Sequence, residues 1–190
     1  MEYFDLSNPQ KRLIVTELNS PGNDTYIVPF KGNFKLEDLK YLKKALNIII
    51  KNNFNLQITQ DPDMNYVQYY NTNVENNIFS YHDMSHETDI EINNLIEDFT
   101  TQKYNQILNI SLYRFLLIKT GKECFVIGNP HHLLMDGKSI DIFVNELNKC
   151  ILCLKKGEKY IPFKPLIINM LKWRKTIFYQ IKLEKMKNIG

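Results

Sequence analysis

The stretch IGNPHHLLMDGKSIDIF, residues 127–143, gathers the side chains best suited to chemistry. His131 and His132 stand side by side, three apolar residues follow, and Asp136, Gly137 and Ser139 close the run. An imidazole titrates near neutral pH, so a histidine held in one orientation can serve as a general base. Neighbouring side chains on an extended strand point to opposite faces. His131 and His132 therefore do not both aim at one reacting centre while the strand continues: one faces a substrate channel and the other packs behind it. Gly137 permits a turn with positive φ or a close backbone approach. Asp136 stands where a carboxylate caps the N–H groups at a helix start and meets the positive end of the helix dipole, and it can equally pair with an arginine behind the loop. The alternative is a purely structural histidine pair. Metal binding is not favoured, because adjacent strand residues do not readily share one ion and no cysteine or carboxylate lies at matching spacing. His82 and His86 read as solvated loop residues.

Such a loop needs elements to hold it. The 190 residues suit one domain, and 44% of them are apolar, which suits a packed core. LSNPQKRLIVTEL opens with a cap-like Ser7 and Pro9, predicting a helix from Ser7 to Leu18. TYIVPFKGNF reads as a strand interrupted by Pro29, near an edge or a bulge. Leu36, Leu39, Leu42, Leu46, Ile49 and Ile50 have the spacing of one helix face. NLQITQ and NYVQYYN read as strands about a turn, and IFSYHDMS as a further short strand. ETDIEINNLIEDFTTQKY predicts another long amphipathic helix. ISLYRFLLIK and CFVIGNPHH, separated by TGKE, read as a hairpin. A further helix runs from about Lys138 to Gly157. The expected class is α/β: a two-layer sandwich with helices packed on a mostly antiparallel mixed sheet.

Composition narrows the function. Net charge is only +3, which argues against a dedicated nucleic-acid binder. Only Arg12, Arg114 and Arg174 are arginine, so sites for bidentate recognition of phosphate or carboxylate are few. Cys124, Cys150 and Cys153 are an odd set in a chain of this length. They read as buried core thiols of a cytoplasmic protein rather than a disulfide framework, redox pair or zinc half-site. No signal-like N-terminus and no run of about 18 apolar residues is present, so no membrane span is expected. Residues 1–158 carry 16 basic and 20 acidic side chains, whereas residues 159–190 carry eight basic ones and only Glu184. A basic amphipathic helix is expected over 163–186. It can pack on its own sheet, lie on a membrane surface, fill a partner groove, or face protein beyond this chain.

HHLLMDGKS matches every fixed position of the H-H-x-x-x-D-G-x-S core motif of nonribosomal peptide synthetase condensation domains, which chloramphenicol acetyltransferase shares. The likeness extends in order along the chain. LSNPQKRL resembles the family's opening S-x-A-Q-x-R-L motif, LKKALNIIIKNNFNLQI the second motif, YHDMS and SLYRFLLIK the following strands, and INMLKWRK the fourth motif. The chain is thus similar to such domains from Leu6 to about Lys175.

The resemblance implies a chloramphenicol acetyltransferase-like lobe, residues 1–190, of a two-lobed domain whose tunnel receives substrates on the phosphopantetheine arms of carrier proteins. Partners implied are peptidyl or acyl carrier domains, a second condensation lobe and neighbouring synthetase modules. No cofactor is bound directly, and no nucleic acid or membrane is involved. His132 is then the catalytic residue of amide formation, His131 is structural, Asp136 holds the loop through an ion pair, and Gly137 keeps the pantetheine path open. Asn52, Asn53 and Gln57 stand where the second motif carries two arginines and a histidine, so Arg12, Arg114 or water must partner Asp136. Pro130 removes a strand donor beside the histidines. Two other readings remain: a small acyltransferase completing its site by oligomerising, and a non-catalytic module that docks carrier proteins. The first fits the length, but the motif lies close to the C-terminus in chloramphenicol acetyltransferase and 53 residues follow Gly137 here.

Overall fold

A computed structural model describes residues 3–20, 24–53, 56–71 and 79–161. The helix expected over 163–186, with Trp173 and Arg174, lies outside the described residues.

Helix α1 (Asn8–Asn19) begins as its sequence dictates. The Ser7 side chain accepts from the Gln10 backbone N–H, and the Gln10 side chain accepts from the Ser7 N–H at 2.8 Å. This reciprocal cap satisfies two donors that a helix start leaves open, and Pro9 sits in the first turn. Strands β1 (Tyr3–Asp5), β3 (Leu56–Gln60) and β4 (Tyr66–Tyr70) form an antiparallel sheet in the order β1-β4-β3.

A second sheet has the order β2-β7-β6-β5, from β2 (Phe30–Lys35), β5 (Ser80–Asp83), β6 (Phe115–Lys119) and β7 (Glu123–Gly128). Its pairs are antiparallel except β5 with β6. The chain crosses between those two through α3 (Asp89–Thr100). The β6–β7 hairpin is the one read from the sequence. Strand β2 starts only after Pro29 and lies at a sheet edge, where a missing N–H costs no ladder bond.

Near-continuous apolar strings in β6 and β7 arise because both faces are covered. Phe115, Leu117, Cys124 and Val126 pack in one cluster with α2 (Leu39–Asn53) and α4 (Gly137–Lys155). Leu116, Ile118, Phe125 and Ile127 pack with Ile92 and Phe99 of α3. The α/β class with helices on a mostly antiparallel mixed sheet is what the chain builds, and α3 adds a layer beyond the two expected. The predicted stripe of α2 is buried at Leu42, Leu46, Ile49 and Ile50 against Phe143, Leu147 and Cys150 of α4. Each such Leu or Ile contributes about 1.5–3 kcal/mol by leaving water. Cys124 and Cys150 are free thiols buried in this core, and Cys153 is half-buried. His82 is exposed, as expected, although it lies on β5 rather than in a loop.

A third cluster sets the position of the histidines. Ile14 of α1, Ile58 of β3, Tyr104, Ile107 and Leu112 close around Leu133. The three-stranded sheet and α1 are thereby fastened to the segment that follows β7.

Candidate active site

Strand β7 ends at Gly128, three residues before His131. The Asn129 N–H extends the ladder once more to the Arg114 carbonyl, and the Pro130 carbonyl accepts from Val28 N–H, both at 2.9 Å. Lacking an N–H, Pro130 pairs with Val28 through its carbonyl alone. His131 forms a single bridge to Ile27 and donates its N–H to the Leu112 carbonyl at 2.9 Å, while the His132 N–H donates to the Tyr26 carbonyl at 2.6 Å. The chain then turns sharply, with the Leu134 and Met135 N–H groups both donating to the His131 carbonyl. The two histidines do face opposite ways, His131 buried and His132 exposed. The backbone still alternates at this point, as the sequence reading expects, with the His131 N–H directed to Leu112 on one side and the His132 N–H to Tyr26 on the other before the chain turns.

His131 is 1% exposed. Its Nδ1 accepts the Leu133 N–H at 3.1 Å. A ring nitrogen that accepts carries no proton, so the neutral ring is protonated on Nε2. Nε2 lies 3.2 Å from Oε1 of Glu17, off the line of a hydrogen bond, and Glu17 is itself 3% exposed. Burial lowers the His131 pKa to about 4, with a further lowering from His132. Burial raises that of Glu17. The edge of the Tyr104 ring meets His131 at 5.7 Å between centroids.

The sequence reading leaves Asp136 to cap a helix start, to pair with an arginine or to meet water, and the structure shows the cap. Among the described residues no ion pair involves Asp136, Arg12 or Arg114. Asp136 is exposed and is the N-cap of α4, where one carboxylate oxygen accepts from the Ser139 N–H at 2.8 Å and the Ser139 hydroxyl at 2.6 Å. Those two bonds, hydroxyl first, hold the Asp136 carboxyl below its ordinary range, with a smaller lowering from His132. Arg114 donates to the carbonyls of Gln102 and Lys103, both at 3.0 Å, and its guanidinium lies 4.1 Å over the Tyr104 ring. Arg12 lies exposed on α1. Asn52 and Asn53 donate back to the Ile48 and Ile49 carbonyls, and buried Gln57 accepts from the Tyr69 hydroxyl at 2.6 Å. The second-motif positions are thus committed locally, and the loop is tied without a cation.

An exposed N-cap has a modest and specific energy. Asp136→Ala is expected to lower stability by about 1 kcal/mol, whereas Asp136→Asn, which also caps, costs only a few tenths. Urea denaturation of both variants checks this, and a loss of several kcal/mol for the asparagine would restore the buried ion pair. The positive φ that the sequence reading allows at Gly137 is not found. A Cβ there would meet nothing within 4 Å. Open space next to the turn is what the structure shows at this position.

Four participants, Asn129, Tyr104, Gln10 and Glu17, are not assigned by the sequence. Asn129 donates through its buried side chain to the Phe99 carbonyl at 3.0 Å, and the Tyr104 hydroxyl donates to the Asn129 carbonyl at 2.7 Å. Gln10, read only as a motif position, donates to the Leu133 carbonyl at 3.0 Å and to Gln68 Oε1 at 3.1 Å. Glu17 could have been found, because an acid seven residues after Gln10 and three after Ile14 falls on the inward face of α1.

The arrangement presents one exposed imidazole on a turn braced from four sides, next to open space. Among the described residues no group of three or more His, Cys, Asp or Glu is placed to hold a metal ion, and no helix is long and apolar enough to cross a membrane.

Comparison with known proteins gives this geometry a setting. A family model described as Condensation domain matches residues 2–175. A plipastatin synthase of Bacillus subtilis (strain 168) is 27% identical over 169 residues, a span of 85% of this chain and 6% of that protein. The solved starter condensation domain of rhizomide synthetase RzmA superposes with a TM-score of 0.79 at 17% identity, over 95% of this chain and 44% of that one. The first condensation domain of the CDA synthetase gives a TM-score of 0.73 at 14% identity, over 86% of this chain and 43% of that one. The chain spans less than half the length of each solved relative and a small part of the plipastatin synthase.

Proposed function

The chain belongs to the condensation-domain family, and on that premise we propose that it is the histidine-bearing N-terminal lobe of a nonribosomal peptide synthetase condensation domain. Its reaction is amide formation. The amine of one carrier-bound substrate attacks the thioester carbonyl of another, the C–N bond forms, the C–S bond breaks, and the phosphopantetheine thiol leaves. His132 accepts the amine proton or stabilises the charged tetrahedral intermediate, and the proton passes to the departing thiolate. His131 is structural, Asp136 and Ser139 fix the start of α4, and Arg114 buttresses Tyr104. Gly137 leaves the pantetheine path clear, which the open space at its Cα supports.

The observation that carries the reading is the exposed His132 on a fully tied turn, within a fold that superposes on less than half of a solved condensation domain. The remaining wall of the tunnel would come from a second lobe, and substrates from peptidyl or acyl carrier domains, in a cytoplasmic assembly. The test is reconstitution. Carrier-bound donor and acceptor are incubated with this chain alone, with the C-terminal half of a condensation domain alone, and with both. Amide product is expected only with both. Equal product from this chain alone would favour a self-sufficient acyltransferase, and none from any combination would favour a docking module.

A further inference from the structure

Two buried titratable side chains lie beside the turn and take no part in the reaction proposed above. Glu17 faces the Nε2 edge of His131, and the Nδ1 edge of the same ring holds the Leu133 N–H. Leu133 directly follows His132. Its carbonyl is held in turn by Gln10, which lies seven residues before Glu17, about two helical turns, and so on the same face of α1. The Leu133 carbonyl is thus held from α1 by Gln10, and its N–H by the His131 ring, whose other edge lies 3.2 Å from Glu17 of the same helix, off the line of a hydrogen bond. On the other side, the His132 N–H is fixed by the Tyr26 carbonyl. The backbone is thus held before and after His132, and the His131 ring supplies one of the bonds that hold it.

From this geometry we infer that Glu17 is a positioning residue for His132: by facing Nε2 it keeps the proton there, leaves Nδ1 free to accept from Leu133, and so sets the turn that presents His132. The inference rests on the reading of His132 as the reacting imidazole, but the positioning itself has a readout that needs no substrate. A carboxylate that merely helps α1 to pack would change stability without changing which nitrogen of His131 carries the proton.

The experiment is imidazole ¹⁵N–¹H NMR on the full 190-residue chain, comparing the parent with Glu17→Leu and Glu17→Gln. Leucine fills the space and offers no acceptor, while glutamine keeps an oxygen that can face Nε2. The parent is expected to show His131 as a single Nε2–H form. Glu17→Leu is expected to show a mixture of the two neutral forms and displaced His132 signals, and Glu17→Gln to restore the parent pattern. Should the leucine variant not fold, the glutamine variant still decides, since a folded chain with mixed His131 forms overturns the inference. So does a folded leucine variant with both histidines unchanged. In the reconstituted assay, Glu17→Leu is expected to lower kcat by up to about 10²-fold with KM unchanged, the cost of a misplaced reacting group. Spectra that respond as expected alongside a fully active His132→Ala chain would uphold the positioning and refute the role of His132.

Discussion

Replacing His132 by alanine is expected to lower amide formation in the reconstituted assay by about 10²–10⁴-fold, the usual contribution of a positioned general acid–base group. The fold should not notice the change. His132 is exposed, and the bond it supplies to the turn runs from its backbone N–H to the Tyr26 carbonyl, which alanine retains. Surface substitutions of this kind stay within about 0.5 kcal/mol. The expected pattern is a lost rate with an unchanged unfolding midpoint. A His132→Ala chain that keeps the parent rate would remove the general-base role, and a lost rate accompanied by unfolding would move His132 from chemistry to structure. The split matters because His131, its neighbour in sequence, is expected to behave in the opposite way.

Much of this arrangement is legible in the sequence because it is local. Ser7 and Gln10 announce a reciprocal cap, Pro9 a first turn, and Leu42 to Ile50 a buried stripe. The hairpin of β6 and β7 follows from two apolar runs about TGKE, and the Asp136 cap from a carboxylate three residues before a helical N–H. The histidine motif marks the candidate site. Whatever depends on distant partners is not legible in this way. Alternation carries the strand reading through to His132; β7 itself ends at Gly128, and beyond it bonds to Tyr26, Val28, Leu112 and Arg114, partners far away in sequence, hold the chain up to the turn. The arginine sought for Asp136 is unnecessary, since Ser139 satisfies one carboxylate oxygen and water reaches an exposed residue. The layer added by α3 is hidden for a related reason: an apolar run in β6 cannot say how many helices cover it. The inward position of Glu17 is legible from its spacing with Gln10 and Ile14, but its neighbour His131 lies 114 residues on and is not.

His131 is where stability is expected to respond most. His131→Ala removes a side chain that is 1% exposed, leaves the Leu133 N–H without its acceptor, and leaves Glu17 facing a void. Stranding a buried donor costs about 1–3 kcal/mol, and the cavity adds to that, so the loss is expected to be on the order of 3–5 kcal/mol at pH 7. The sign of the pH dependence follows from burial. The folded-state pKa of His131 is depressed to about 4 from an ordinary 6.5. Its contribution is therefore present above pH 6.5 and is lost as the pH falls towards 4, because the unfolded chain takes up a proton that the folded chain refuses. Over that window the loss amounts to roughly 3 kcal/mol. Glu17 acts with the opposite sign, since its pKa is raised in the folded state. Its contribution is present below the ordinary 4.5 and is lost as the pH rises through the raised value. The two trends compete in mild acid, so the parent curve alone does not separate them. Comparing variants does: chemical denaturation between pH 4 and 7 should give a shallower acid limb for His131→Ala than for the parent, and Glu17→Gln should steepen it by removing the opposing group. Parallel curves for parent and His131→Ala would mean that His131 titrates normally, and that the interior beside Glu17 is wet enough to solvate a charge.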